Sequence, residues 1–302
     1  MIAIFAPDGI GEIGPDSDLV RVVLDAVAAD PSGPLAAGDI AVVTSKIVSK
    51  AEGRRLAAAD RTSAVAAETV DTVAWRGPMR IVRNGLGLVQ AAAGVDASNV
   101  EPGQVLLLPV DPDDSAERLR AGLSAAVGGP VGVIVSDTAG RAWRIGQTDH
   151  AIGAAGVQVK RSYAGESDGY GNPLLVTVTA VADELAAAAD LAKGKLARRP
   201  VAIVRGLSHL VVAESGIPDE PAEPPPRAAE LIRPAADDLF AHGSREAVVA
   251  AVLAAAGRPG AYEQLAGLEG DELVAAVQEL CPPAERDLLG RVVRTTLAAP
   301  PR

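Results

Sequence analysis

The chain has 302 residues, 48% of them hydrophobic, which suffices for about two globular domains of ~150 residues, each with a buried core. Its formal net charge of -11, from 28 Lys and Arg against 39 Asp and Glu, disfavours nonspecific nucleic-acid binding. The single cysteine excludes an intrachain disulfide, and no apolar run approaches the roughly 18 residues of a membrane span. Because residues 1–5 are a short apolar run without a preceding basic residue, we expect no signal peptide, and the single cysteine predicts a reducing, cytoplasmic location.

The predicted elements are a mixture of strands and helices. Short apolar runs predict strands at 2–5, 40–43, 79–82, 105–108, 131–135, 176–182 and 201–204. Amphipathic stretches predict helices after Ser17, up to about residue 70, after Ser115, at 185–192 and beyond residue 240. We expect Ser17 and Ser115 to cap their helices. The stretch 214–234 is rich in Pro and Glu and predicts a linker, and the irregular spacing of the elements argues against a doubly wound fold.

A glycine-rich turn follows the first predicted strand. Residues 9–14 read GIGEIG, which matches the G-x-G-x-x-G fingerprint of dinucleotide-binding folds. Pro7 separates the motif from the strand and residues 15–17 delay the helix, so the last glycine cannot serve close strand–helix packing. The acidic residue expected at the end of the second strand is also missing. The motif is therefore either a turn that lines some other nucleotide site or a purely structural turn.

Hydroxyl and ammonium groups follow the second predicted strand. Residues 44–50 read TSKIVSK and place three hydroxyl groups and two lysines, Lys46 and Lys50, just past a buried strand. Open α/β sheets bind ligands outside the carboxyl ends of their strands, where hydroxyl and ammonium groups suit phosphate oxygens. The spacing alone leaves a phosphate site and an ordinary exposed strand end equally open.

Two aspartates are candidate metal ligands. Asp137 ends an all-apolar strand and precedes Thr138, and Asp96 closes a segment of small residues with Asn99 three positions on. Carboxylates at such positions suit Mg²⁺ or Mn²⁺, because hard cations prefer oxygen ligands and the phosphates of a nucleotide complete the shell. The alternative is that each aspartate caps a loop by accepting backbone hydrogen bonds.

Residues 141–150 (RAWRIGQTDH) concentrate polar groups in a short stretch. Arg141 and Arg144 can bind a phosphate or carboxylate, or they can form surface ion pairs with Asp149. His150 alone is a weak candidate. Because no Ser–His–Asp or Cys–His arrangement is legible, covalent catalysis is not supported and no catalytic residue is assigned. A phosphate-binding P-loop is excluded, since no G-x-x-x-x-G-K-[ST] motif occurs.

Seven stretches, taken together and in order, resemble the coenzyme F-420 γ-glutamyl ligase family. They are 42–53 (VVTSKIVSKAEG), 93–100 (AGVDASNV), 136–144 (SDTAGRAWR), 146–149 (GQTD), 151–156 (AIGAAG), 170–172 (YGN) and 181–184 (VADE). The resemblance covers about residues 1–240. Several independent motifs in the family's order make the signal specific.

This resemblance implies a fold, a reaction and partners. The expected fold is α+β, a large mixed β-sheet flanked by helices, gamma-glutamyl-ligase-like over residues 1–240, with a small helical C-terminal extension at 241–302. The implied reaction consumes GTP and adds L-glutamate to F-420-0 through an acyl phosphate, with later glutamates γ-linked. Mg²⁺ or Mn²⁺ is the implied cofactor, with K⁺ as a further ion. A homodimer is the implied assembly, and we expect neither nucleic-acid nor membrane partners.

The resemblance also assigns site residues by position. GTP would be bound by Ile10, Gly11, Glu12, Ile13, Ser45, Lys50 and Asn99. Asp96 and Asp137 would hold one metal ion and Thr138 a second, and Arg141 and Arg144 are candidates for the acceptor. Archaeal members carry Glu or Gln as a ligand of the second metal where this chain has Lys195.

Other functions remain open at this point. Actinobacterial members often continue into an FMN-binding nitroreductase-like domain; residues 241–302 are too short for it, so we expect no flavin. One alternative is a related GTP-dependent carboxylate–amine ligase with a different acceptor. A noncatalytic nucleotide-binding protein is another, and a nicotinamide oxidoreductase built on residues 9–14 is a third.

Overall fold

The computed structural model describes residues 1–212, 225–234 and 237–298. Its strands are β1 Ala3–Phe5, β2 Ile40–Thr44, β3 Arg55–Ala57, β4 Thr69–Arg76, β5 Met79–Asn84, β6 Val89–Ala91, β7 Gln104–Leu106, β8 Gly132–Arg141, β9 Arg144–Ala155, β10 Arg161–Ser162, β11 Val178–Thr179 and β12 Val201–Arg205. Its α-helices are α1 Leu19–Ala28, α2 Ser45–Ala51, α3 Arg61–Glu68, α4 Pro112–Val127, α5 Val181–Lys193, α6 Ser244–Ala255, α7 Gly270–Leu280 and α8 Arg286–Ala298. Short 3-10 helices lie at Ala58–Asp60, Ala92–Gly94, Ser208–Leu210, Ala228–Leu231 and Pro259–Leu265.

The chain divides into two compact units. The first unit comprises Met1–Arg61 and Asp96–Ile232, and the second comprises Thr62–Val95 and Arg233–Arg302. The second unit thus takes in a segment from inside the range 1–240. The division into a ligase domain at 1–240 and a tail at 241–302 stays a prediction.

A five-stranded mixed sheet forms the centre of the first unit. Its strand order is β1-β12-β2-β8-β9, with β2 and β8 parallel and the other neighbours antiparallel. The inner strands β2 and β12 are apolar on both faces, as strands covered on both sides must be. The predicted α+β class with a large mixed sheet is therefore confirmed.

Helices α5 and α4 contact the sheet on its two faces. Val181, Leu185 and Ala189 of α5 pack on side chains of the sheet that include Ile134 and Ala154. Gly153, next to Ala154 and so directed to the opposite face, lies where a Cβ would come 2.2 Å from the Pro112 carbonyl oxygen at the start of α4. The absence of a side chain at this position lets α4 approach β9 closely.

Several predicted boundaries are wrong. The side chains of Asp18 and Asp111, not Ser17 and Ser115, cap α1 and α4 by accepting from the backbone N–H three residues on. The strand predicted at 131–135 continues to Arg141 and turns into β9, because the polar residues past 135 pair across an antiparallel ribbon. The stretch 176–182 is only the two-residue β11 followed by α5. The helical stretch predicted up to residue 70 is interrupted by β3.

The second unit has its own core. The antiparallel strands β4, β5 and β6 form a three-stranded sheet, and Trp75 of β4 packs with apolar residues of the helices, among them Leu253, Val277 and Val293. The helical region predicted beyond residue 240 is confirmed by α6, α7 and α8. Residues 213–224, which hold most of the predicted linker, lie outside the described residues. Among the residues described, no helix combines the length and apolar character that crossing a bilayer requires.

Candidate active site

A cleft of about 420 Å³ in the first unit opens beside the end of β2 and the neighbouring part of β8 around Thr138. Its volume is typical of small-molecule sites. Five segments line it: the loop after β1, the end of β2 with helix α2, the loop after Asp96, the paired strands β8 and β9, and the chain from the last turn of α5 to the residue before β12. The lining residues are Ile10, Gly11, Glu12, Ile13, Thr44, Lys46, Ile47, Lys50, Asn99, Val100, Glu101, Thr138, Asp149, Asp190, Lys193, Gly194, Lys195, Arg198, Arg199 and Pro200.

The sheet topology brings the predicted strand-end residues together. Because β2 and β8 are parallel neighbours, with Thr44 paired to Ser136, their carboxyl-side residues meet at one place. Ser45 is the first residue of α2, and its buried hydroxyl donates to Oδ1 of Asp137 at 2.9 Å. Two residues 92 positions apart in sequence thus form one polar pair.

The glycine-rich turn of residues 9–14 lies within the loop that joins β1 to α1. It neither follows the strand directly nor begins the helix. Its side chain Glu12 accepts hydrogen bonds from Lys50 Nζ at 2.7 Å and from Arg55 at 2.9 Å. The Lys50 side chain is 7% exposed, whereas that of Glu12 is 64% exposed. The hydrogen bond from Lys50 is the largest influence on the pKa of Glu12 and holds it below its ordinary value, opposed by partial desolvation. An ammonium group is therefore held at the cleft by a solvent-exposed carboxylate.

Asp96 lies beside the cleft in a tight turn. Its Oδ1 accepts from the backbone N–H of Ser98 and its Oδ2 from the Ser98 hydroxyl, at 2.9 and 2.6 Å. Lys46 forms an ion pair with the same carboxylate at 2.5 Å. Burial raises the pKa of Asp96. The charge of Lys46 and the hydrogen bonds from Lys46 and Ser98 outweigh this effect, so the pKa of Asp96 is below its ordinary value. Asn99 follows with φ of 56°, a left-handed conformation that Asn tolerates.

Among Glu12, Asp96, Asp137 and Asp149, only Asp137 has a burial cost that neighbouring charges and hydrogen bonds do not outweigh. It is 8% exposed, and burial, the largest influence, raises its pKa above the ordinary value. The charge of Lys46, the Ser45 hydroxyl and His150 oppose this shift, and the charge of Asp149 adds to it. A bound cation would stabilise the charged, carboxylate form of such a buried group.

Asp149 lies in a buried network on the α5 side of the β8–β9 ribbon. Lys193 Nζ donates to its Oδ2 at 2.7 Å and to the Ser136 hydroxyl oxygen at 2.9 Å. The hydroxyls of Ser136 and Thr138 donate to Oδ2 and Oδ1 of Asp149 at 2.8 and 2.6 Å. Burial raises the pKa of Asp149, but the charge of Lys193 and these hydrogen bonds lower it by more. The pKa of Asp149 is therefore below its ordinary value.

The structure sorts the predicted site residues into three places. Those that line the cleft are Ile10, Gly11, Glu12, Ile13, Lys50, Asn99 and Thr138. Ser45, Asp96 and Asp137 do not line it but contact or neighbour lysine and hydroxyl groups that do. Arg141 and Arg144 pair with each other at the exposed end of the β8–β9 ribbon, away from the lining residues. The ligand assignments of all these residues stay predictions.

The sequence interpretation named Lys195, but it missed that a whole basic segment around this residue forms part of the cleft wall. It runs from Lys193 at the end of α5 to Pro200 and contributes Lys195, Arg198 and Arg199 to the lining. The available signal was four basic residues within seven positions between a helix and a buried strand. Periodicity could not show that this segment faces the glycine-rich turn.

The arrangement around Lys46 suits a divalent cation. Asp96 contacts this ammonium directly, and the same charge acts on Asp137. Two carboxylates that share one positive charge form a hard oxygen donor set of the kind that Mg²⁺ and Mn²⁺ prefer. Among the described residues no three His, Cys, Asp or Glu side chains come together as a metal-binding group. Such an ion would therefore take further oxygen ligands from a hydroxyl group, water or a bound phosphate.

The fold and the cleft define an α+β protein whose cleft is lined by both lysines and carboxylate side chains. The sequence profile of the F420-0:gamma-glutamyl ligase family matches residues 9–206, which include all the residues that line this cleft. The chain belongs to that family, a family of ligases that form carbon–nitrogen bonds.

Individual relatives agree with this result. A protein of Archaeoglobus fulgidus named coenzyme F420:L-glutamate ligase is 37% identical over 226 residues, 68% of this chain and 88% of the relative. A protein of the same name from Halobacterium salinarum is 39% identical over 215 residues, 63% of this chain and 81% of the relative. A third, from Methanopyrus kandleri, is 36% identical over 249 residues, 76% of this chain and 93% of the relative.

Proposed function

We propose that this chain joins L-glutamate to coenzyme F-420-0, consuming GTP, and adds later glutamates through γ-linkages. The relatives supply the reaction class, because several carry the name coenzyme F420:L-glutamate ligase. The observation that carries the proposal is the cleft itself. It is lined by the ammonium groups of Lys46 and Lys50, and the charge of Lys46 acts on the buried carboxyl group of Asp137 behind it, an arrangement that suits phosphoryl transfer from a nucleotide.

The nucleotide polyphosphate is the natural partner of Lys50. This ammonium is buried at the cleft wall and its acceptor is the exposed carboxylate of Glu12. A phosphate oxygen can replace that carboxylate as acceptor, because Glu12 is 64% exposed and water solvates its carboxylate when Lys50 changes partner. Residues 10–13 and Asn99 line the same cleft and would border the same ligand.

Asp96 and Asp137 would hold one divalent ion, Mg²⁺ or Mn²⁺. When bound, the ion offsets the charge of the phosphates and of the group in transfer. The chain's own part is to present both carboxylates in the charged form. Lys46 keeps the pKa of Asp96 low, and Ser45 donates to Asp137, whose burial otherwise favours the neutral form.

Amide formation needs an activated carboxylate, because an oxide ion cannot leave. Attack of the acceptor carboxylate oxygen on the γ-phosphorus of GTP breaks the bond to the bridging oxygen and releases GDP. The deprotonated amine of L-glutamate then attacks the acyl carbon of the resulting acyl phosphate. Inorganic phosphate leaves with the electron pair of the broken carbon–oxygen bond, and the amine nitrogen loses a proton.

The acceptor and the assembly involve the exposed end of the β8–β9 ribbon. Arg141 and Arg144 lie there with free access to a phosphodiester or carboxylate of an anionic acceptor. Trp143 and Ile145 are highly exposed beside them, which supports a homodimer in which a second copy packs on these two apolar side chains. Light scattering on the purified protein tests the dimer, and Trp143→Ser is expected to weaken it.

The deciding experiment is mass spectrometry of F-420-0 incubated with the protein, L-glutamate, GTP and Mn²⁺. We expect products heavier by whole glutamyl residues together with an equal amount of GDP for each bond. Asp137→Asn, with its fold checked by circular dichroism, is the matched control and is expected to give neither. GTP binding without any glutamylated product would indicate a different acceptor and refute the assignment of F-420-0.

A further inference from the structure

The strongest unexplained feature of the cleft is a buried ion pair on the α5 side of the β8–β9 ribbon. Lys193 and Asp149 have side chains only 5% and 3% exposed, and their charged atoms lie 2.7 Å apart. All but a small part of this pair is removed from solvent, yet both residues line the cleft. Such a pair is costly to bury unless every group in it is hydrogen-bonded.

The hydrogen bonds of this pair are nearly complete. Asp149 accepts from the Ser136 and Thr138 hydroxyls as well as from Lys193, and Lys193 also donates to Ser136. The Thr138 hydroxyl uses its hydrogen on Asp149 at 2.6 Å. Both oxygens of the carboxylate are therefore engaged, and the positive charge beside them belongs to the chain itself.

A contrast with Lys46 shows what is special here. The Lys46–Asp96 pair also joins an ammonium and a carboxylate, but its side chains are 14% and 40% exposed. Water and ions reach that carboxylate, so the ammonium there can be replaced. Lys193 instead extends from the last residue of α5 into the sheet face, where Ser136 anchors it.

We propose that Lys193 is a built-in cation at Asp149 and Thr138, in place of a second divalent metal ion. The chain then needs a divalent ion only on the Asp137 side of the ribbon. This inference rests on the proposed function for the presence of the first ion. It departs from the assignment of Thr138 to a second metal that the resemblance implies.

The test counts bound Mn²⁺ by equilibrium dialysis, with free Mn²⁺ read by electron paramagnetic resonance, at saturating GDP. We expect one Mn²⁺ per chain in the wild type and two in Lys193→Met, which keeps the length of the side chain and removes its charge. Lys160→Met makes the same substitution at a partly exposed lysine that pairs with Glu230 outside the cleft lining, and it should leave the count at one. Two Mn²⁺ in the wild type, or equal counts in wild type and Lys193→Met, would overturn the proposal.

Asp149→Asn decides the question if Lys193→Met does not fold, as judged by circular dichroism. An unchanged Mn²⁺ count in Asp149→Asn supports the assignment, and the loss of one Mn²⁺ contradicts it. Failure of the proposed function gives a different result. No Mn²⁺ in the wild type and one in Lys193→Met would refute the Asp137 ion while leaving the role of Lys193 intact.

Discussion

Replacement of Lys50 by Met tests whether this buried ammonium binds the nucleotide. Met keeps the unbranched apolar stem and removes only the charge and its hydrogen bonds. The bond that is lost within the protein, to Glu12 at 2.7 Å, involves a carboxylate that is 64% exposed, so the fold should lose less than about 1 kcal/mol.

The effect on the nucleotide is expected to be much larger. A hydrogen bond to a charged group contributes about 1.5–3 kcal/mol. Loss of one such bond to a phosphate oxygen therefore raises the Kd for GTP by about 10- to 150-fold. Isothermal titration calorimetry with GTP and Mn²⁺ measures this change directly.

Two further variants make the Lys50 result interpretable. Glu12→Gln removes the competitor for Lys50, so GTP should bind up to about fivefold more tightly, the equivalent of an exposed ion pair. Lys160→Met breaks a partly exposed pair with Glu230 outside the cleft lining and should leave the Kd unchanged. A Lys50→Met protein that is folded and binds GTP as the wild type does would refute the role of Lys50.

The other predictions concern the metal site, the acceptor and the packing of the ribbon. Asp137→Asn should abolish GTP turnover and raise the melting temperature of the metal-free protein at neutral pH. The sign follows from its pKa, which burial raises in the folded state, so ionisation of Asp137 destabilises the fold as the pH rises. For the same reason Mn²⁺ binding by the wild type should weaken on acidification at a higher pH than an ordinary aspartate would cause, measured by dialysis across pH. Arg141→Ala combined with Arg144→Ala should raise KM for F-420-0 and leave the Kd for GTP unchanged; an unchanged KM argues against acceptor binding there. Gly153→Ala should destabilise the fold by about 1–3 kcal/mol, because its Cβ would meet a backbone carbonyl at 2.2 Å. Gly140→Ala on the same ribbon meets nothing within 4 Å and should change stability little in thermal melts.

The sequence by itself determined the secondary-structure elements that hydrophobic patterns within one segment predict. The apolar run that forms β2 and the amphipathic pattern that forms α5 were legible without tertiary information, because each buries a continuous surface. The clustering of candidate residues at strand ends was also legible, since the carboxyl ends of parallel strands share one edge. Family motifs then identified which of those strand ends belong to one site.

Only the tertiary structure decided how the charges of the site are paired. Lys193 and Asp149 are 44 positions apart, and neither the helix that ends at one nor the strand that carries the other indicates the contact. The extent of β8 was misjudged for a related reason: its outer half is polar, and only pairing with β9 makes it a strand. Hydrophobic periodicity records what a segment buries, whereas ion pairs and ribbon partners depend on which segments the fold places side by side.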